Sequence, residues 1–218
     1  MDLYSPLELI RTDPLAFVFL AVTLILAISL HEYAHALAAD LQGDRLPRAM
    51  GRVSLNPARH LDPLGTLLIF LVGFGWGKPV EFRRQALSSQ RFGAAMVALA
   101  GPLMNLFLAF IGAFGLAWTV NRVGTTGQLE GVNESLFLFF GTFLSINVVL
   151  AVFNLIPIPP LDGSRLLTIF LPPSKQHILF FLDRYGMVIL LLILLFGGTI
   201  FLSPLIDSVT EFILNVVR

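Results

Sequence analysis

Leu15 to Ala39 reads LAFVFLAVTLILAISLHEYAHALAA, a stretch whose only His, Asp, Glu, Lys or Arg side chains are His31, Glu32 and His35. A helix rises about 1.5 Å per residue, so this run is long enough to cross a hydrocarbon core of about 30 Å. It sets the fold class as a polytopic membrane protein. It also poses a question, because an ionisable side chain at that depth costs roughly 3 kcal/mol and is retained mostly for function.

The spacing supplies an answer. His31 and His35 are four residues apart, so their side chains lie one turn apart on the same helix face. Two imidazole nitrogens so placed can converge on one metal ion. Glu32 sits about 100° further round the helix, where it can reach a metal-bound water. Two His ligands with Glu as general base is the zincin arrangement. The rival reading makes the three residues helix-packing groups of a transporter or a proton relay. A relay does not need this spacing.

Composition agrees with a lipid environment. Of 218 residues, 56% are hydrophobic and only 13% charged, with a mean hydropathy of +0.83. Soluble domains carry about 25% charged residues. Net charge is zero, which gives a nucleic-acid partner no support. There is no cysteine, so any metal must be held by His, Asp or Glu. Asp2, Glu8 and Asp13 outnumber Arg11 ahead of the first apolar run, so no positive n-region marks a signal peptide, and the run reads as retained.

Further spans follow. Phe92–Val120 and Leu136–Leu155 are long and apolar, Tyr185–Leu202 reads as the last span, and Ser203–Arg218 reads as an amphipathic, interfacial tail. Leu64–Trp76 is apolar but short. The polar stretches on either side of it hold eight of the 14 Lys and Arg residues. A crossing would leave one basic loop outside, whereas re-entry keeps both in the cytoplasm, as the positive-inside rule prefers. Gly77–Phe82 reads as extended and could form a strand-like edge. The expected architecture is an all-α helix bundle with a short re-entrant or β element after the first transmembrane helix, in a single domain over residues 1–218. Four crossings put the N-terminus outside and the His31–His35 end of its helix inside.

A catalytic zinc ion keeps three protein ligands and one open position. The candidates for the third ligand are His60, His177 and the acidic residues. Asp162 follows the inward crossing Leu136–Leu155, so the same topology puts it at the His31–His35 end. Pro157, Pro159 and Pro160 break the helix before it and free the chain to turn. Asp162-Gly163 can equally be a simple turn, or Asp162 the N-cap of the next helix.

Four patches now bear on the family. They are His31-Glu32-Tyr33-Ala34-His35-Ala36, Asn56 to Thr66 (NPARHLDPLGT), Ala100-Gly101-Pro102-Leu103-Met104-Asn105, and Asn154 to Gly163 (NLIPIPPLDG). In this order they resemble the site-2 protease family of intramembrane zinc metalloproteases (peptidase M50-like). The patches lie within residues 31 to 163 of the 218. The resemblance implies that Asp162 is the third ligand of one zinc ion beside His31 and His35. It implies that Asn154, otherwise a helix C-terminal residue, helps hold the substrate backbone. It further implies a minimal membrane core without the PDZ or cystathionine-synthase-type domain that members commonly add.

The expected activity is hydrolysis of peptide bonds in or near transmembrane segments of membrane-anchored proteins, with Glu32 as the catalytic base. The expected setting is the lipid bilayer of the cell membrane, with the site towards the cytoplasm. An adaptor protein or a homo-oligomer fits the missing domains. The alternatives are a catalytically inactive zinc-binding scaffold and a proton-relay or transporter subunit. Other residues take plainer readings. His60 fixes the re-entrant segment, His177 is solvated, Gly101-Pro102 and Asn105 pack helices, and Arg45, Arg48 and Arg52 mark topology.

Overall fold

A computed structural model describes residues 6–72, 75–126, 131–171 and 175–218. A short helix α1 (Pro6–Thr12) leads into α2 (Pro14–Leu41). The junction is capped: Asp13 accepts a hydrogen bond from Ala16 N at 3.0 Å, and Pro14 occupies the first helical turn, where its missing N–H costs nothing. After α2, Gly43 takes a positive φ of 108° and turns the chain into α3 (Leu46–Ala49). Asp40 anchors this corner. Its carboxylate is 2% exposed and accepts from Arg48 at 2.7 Å and from Arg45 at 3.2 Å. Those two arginines therefore pin α3 to the end of α2, a role their position alone did not reveal.

The short apolar stretch forms α4 (Pro63–Val72) and then returns. Leu61 and Gly77 make an isolated antiparallel bridge, and Lys78 N donates to His60 O at 2.7 Å. The segment thus ends beside its own start, as re-entry requires. Part of the expected Leu64–Trp76 run, residues 73–74, lies outside the described residues.

Next come α5 (Gln90–Thr126), α6 (Val132–Asn154) and α7 (Gly163–Phe170). Helix α5 is central and packs on α2, α6, α7 and, later in the chain, α9. Small residues let it approach its neighbours: Ala109 and Ala113 are fully buried against Leu144, Val148 and Val152 of α6. Its opposite side carries Phe107, Phe114 and Trp118, all large and exposed. Such a surface belongs against lipid tails rather than water.

The C-terminal part departs from expectation. Tyr185–Leu202 is not one helix. Helix α8 (Gln176–Gly197) gives way to a π-helical turn at Gly198–Leu202, and α9 (Ser203–Val217) continues. The tail, expected to be interfacial, packs on the bundle. Ile206, Val209, Ile213 and Val217 recur at helical spacing and pack into the α5–α6 core, with Ile213 only 1% exposed. The apolar stripe read as membrane-seeking finds other helices instead. Among the described residues, the helices long and apolar enough to cross a membrane are Pro14–Leu41, Gln90–Arg122, Val132–Asn154 and Ile200–Val217. Three of these cover the expected first three spans, and Ile200–Val217 begins within the expected Tyr185–Leu202 span and runs through the tail.

Candidate metal centre

His31 and His35 occupy the C-terminal half of α2 on the face that meets α5, and both are buried. Their Nε2 atoms lie 2.9 Å apart. Asp162 completes the group: its Oδ2 is 3.1 Å from His31 Nε2 and 3.1 Å from His35 Nε2. Donors around a tetrahedral zinc ion with bonds of about 2.0–2.1 Å stand roughly 3.3 Å apart. A near-equilateral triangle of two imidazole nitrogens and one carboxylate oxygen fits that requirement. Among the described residues, this is the one group of His, Cys, Asp or Glu side chains close enough to hold a metal ion.

Local sequence explains how Asp162 arrives. Proline breaks the chain after α6, and Gly163 begins α7. A Cβ on Gly163 would lie 2.2 Å from Leu155 O, so only glycine lets the new helix press so closely on the end of the old one. Asp162 stands at the N-cap of α7, yet its side chain makes no capping bond. The carboxylate is turned to the imidazoles instead, as a third ligand would require.

Helix α5 forms the wall behind the imidazoles. His35 Nδ1–H donates to Val97 O at 2.6 Å, and His31 Nδ1 lies 2.6 Å from Asn105 Oδ1. Both rings therefore present Nε2 to the centre, each held from behind, as metal-binding histidines usually are. Gly101 sits between these two contacts. A Cβ there would come within 2.3 Å of His35 Nε2 and 2.6 Å of His31 Nε2. The sequence marks Gly101 and Asn105 only as packing residues. Their i, i+4 spacing on a helix was the available signal for a shared face, but nothing in the sequence said which helix that face meets.

Glu32 lies beside the triangle, with its carboxylate 3.9 Å from the Arg52 guanidinium. Arg52 is 3% exposed and donates to the carbonyls of Arg59 and Lys78. It ties the loop before α4 to the extended segment after it, next to Glu32. A reading as a topology mark does not account for this burial.

The remaining candidates lie elsewhere. His60 is fully buried and its Nε2–H donates to Ser54 O at 2.6 Å, while Nδ1 has no partner. Burial, with Arg52 nearby, holds its pKa below the usual histidine value, so it stays neutral. It braces the re-entrant loop and is not part of the triangle. His177 is exposed in the first turn of α8. Asn154 ends α6, with Nδ2 donating to its own helix at Leu150 O, 3.0 Å away.

The model of peptidase family M50 matches residues 19–133 and 123–196. The chain belongs to peptidase family M50. It is 36% identical over 215 residues to the Bacillus subtilis (strain 168) protein named "Putative zinc metalloprotease YwhC", covering 98% of this chain and 94% of that protein. It is 30% identical over 186 residues to "Putative zinc metalloprotease Rip2" of Mycolicibacterium smegmatis, covering 82% of this chain and 67% of that one. It is also similar to "Stage IV sporulation protein FB" of Bacillus subtilis, 29% identical over 153 residues, which span 70% of this chain and 40% of the relative. No solved structure matches the chain. The site-2 protease resemblance is thereby met: this M50 member is a zinc metalloprotease with a helical, multi-pass membrane fold.

Proposed function

We propose that this protein hydrolyses peptide bonds in or near the transmembrane segments of membrane-anchored proteins, the chemistry of regulated intramembrane proteolysis. One observation carries the reading: the donor triangle of His31, His35 and Asp162 lies within an apolar helix bundle, with Glu32 beside it. In this reading the three residues hold one zinc ion and leave a position open. Bound there, zinc polarises a carbonyl as a Lewis acid and lowers the pKa of water towards about 7.

Glu32 takes the proton from the attacking water and passes it to the departing amine, a contribution of about 10²–10⁴-fold in rate. Arg52, 3.9 Å away, supplies positive charge beside that carboxylate. A helical substrate hides its carbonyls in its own hydrogen bonds, so it must unwind before Glu32 can act. The segment that returns from α4 is extended and bridged to Leu61 on one edge. Its other edge suits pairing with an unwound substrate by strand addition. Asn154, one loop away from Asp162, supplies a hydrogen bond to the substrate backbone once it turns from Leu150 O.

The site faces the cytoplasm in this reading. Arg45 and Arg48, paired with Asp40 at the end of α2, mark that end by the positive-inside rule. Residues 1–218 act as one domain, alone, as a homo-oligomer or with an adaptor protein. The test is a cleavage assay in liposomes with a model single-span substrate, comparing the protein, the Glu32→Gln variant and the protein with a zinc chelator. Cleavage within or beside the span, lost in both controls, supports the proposal. Zinc binding without cleavage would favour the scaffold, and neither zinc binding nor cleavage would leave the relay reading.

A further inference from the structure

Two amides stand in the apolar interior behind the metal centre. Asn105 of α5 and Asn147 of α6 are both fully buried, and an unmet amide in such surroundings is costly. Their hydrogen bonds have a definite direction. Asn147 Nδ2 donates to Phe143 O at 2.8 Å. A backbone carbonyl can only accept, so the nitrogen of Asn147 belongs on that side and its oxygen faces Asn105. That oxygen accepts from Asn105 Nδ2 at 2.9 Å. Asn105 Nδ2 also lies 3.4 Å from Ala27 O, a second acceptor-only group.

The nitrogen of Asn105 is therefore committed, and its oxygen must face His31 Nδ1, 2.6 Å away. An amide oxygen cannot donate, so His31 carries its proton on Nδ1. In the neutral ring this leaves the Nε2 lone pair towards His35 and Asp162. His35 reaches the same state more simply, because its partner is the Val97 carbonyl, which cannot turn over. An asparagine can. Turned over, Asn105 would present NH₂ to Nδ1, and the proton would move to Nε2, where it blocks a metal.

We propose that Asn147 and Asn105 form a directional amide relay that locks His31 in the Nδ1–H tautomer and so presets Nε2 as a metal donor. Asn147 does this without touching His31, since its contribution is to keep Asn105 from turning over. Both are positioning residues. The inference rests on the reading of His31 as a zinc ligand.

The experiment measures zinc affinity of purified full-length variants by competition with a chelator. Loss of an outer partner of this kind typically costs 10- to 100-fold in metal affinity. Asn105→Leu and Asn147→Leu are each expected to weaken zinc by about that factor. Asn105→Asp combined with Asn147→Leu, which keeps an acceptor on His31 Nδ1 with no Asn147 oxygen opposing it, should retain zinc within a few-fold. A loss in that double variant equal to the loss in Asn105→Leu would reduce the pair to packing and overturn the relay. So would wild-type affinity in both leucine variants. His31→Ala separates the two failures: if it keeps full zinc, the ligand assignment is wrong, whereas if only it loses zinc, the relay alone is wrong. Should the leucine variants not fold, nitrogen NMR of ¹⁵N-histidine-labelled wild-type protein without metal decides. An Nδ1–H signal for His31 is expected, and an Nδ1 without a proton would overturn the proposal.

Discussion

Gly101 lies so close to His35 that a Cβ on it would stand 2.3 Å from the Nε2 atom. No rotamer change relieves such a contact, because the ring is held from behind by Val97 O. Gly101→Ala is therefore expected to push both imidazoles off the centre, with an overpacking cost of about 1–3 kcal/mol. Zinc content of the purified variant should fall well below one ion per chain. Stoichiometric zinc in that variant would show that α5 can yield.

Glu32→Gln removes the proposed base and leaves the donor triangle whole. Zinc should stay bound while cleavage falls by about 10²–10⁴-fold. Full activity of the purified variant would end the role given to Glu32.

Asp162→Ala takes one corner from the triangle. Two imidazoles alone bind zinc less tightly, so chelator competition should show a marked loss of affinity, and cleavage should fall with it. Unchanged zinc content would point to a different third ligand.

Arg52→Lys keeps the charge but not the fork that reaches both Arg59 O and Lys78 O. A buried polar group left unpaired costs about 1–3 kcal/mol. The variant should melt at lower temperature, and proteolytic nicking should concentrate between residues 52 and 78. Wild-type melting would mean that the loop holds without the arginine.

His60 gives stability a pH dependence. Its folded pKa lies below the ordinary 6.5, chiefly because of burial. Between those two values the unfolded chain binds a proton that the folded chain refuses, so stability falls as pH drops below about 6.5. His60→Gln keeps a donor for Ser54 O and cannot titrate. Melting temperature measured from pH 7.5 to 5 should be flatter for this variant than for the wild type, both without metal. Parallel curves would remove His60 as the source.

Much of this site is legible before any coordinates. The His31–His35 spacing is a local property of one helix, and helical periodicity projects it reliably. The charge count favours re-entry of the α4 segment, since basic loops resist translocation whatever the tertiary detail. Asp162 needed more, because its carboxylate reaches the centre through a chain break whose direction the prolines permit but do not dictate. The backing of the site was not legible. Gly101 matters through what is absent from it, and Asn105 through a ring on another helix. Both depend on which faces of α2 and α5 meet. The C-terminal stripe of Ile206, Val209 and Ile213 was ambiguous for a related reason. An apolar face is equally satisfied by lipid or by Ala109 and Val148, and hydropathy does not distinguish the two.

The separation of Asp162 from His35 by 127 positions has a last consequence. In the proposed ligand set, the ion is the knot of a loop that contains α3 to α6. A nascent chain exposes the two histidines long before the carboxylate is synthesised. Half a site has no hydrolytic competence, so a peptidase still being threaded into the bilayer is harmless to its neighbours.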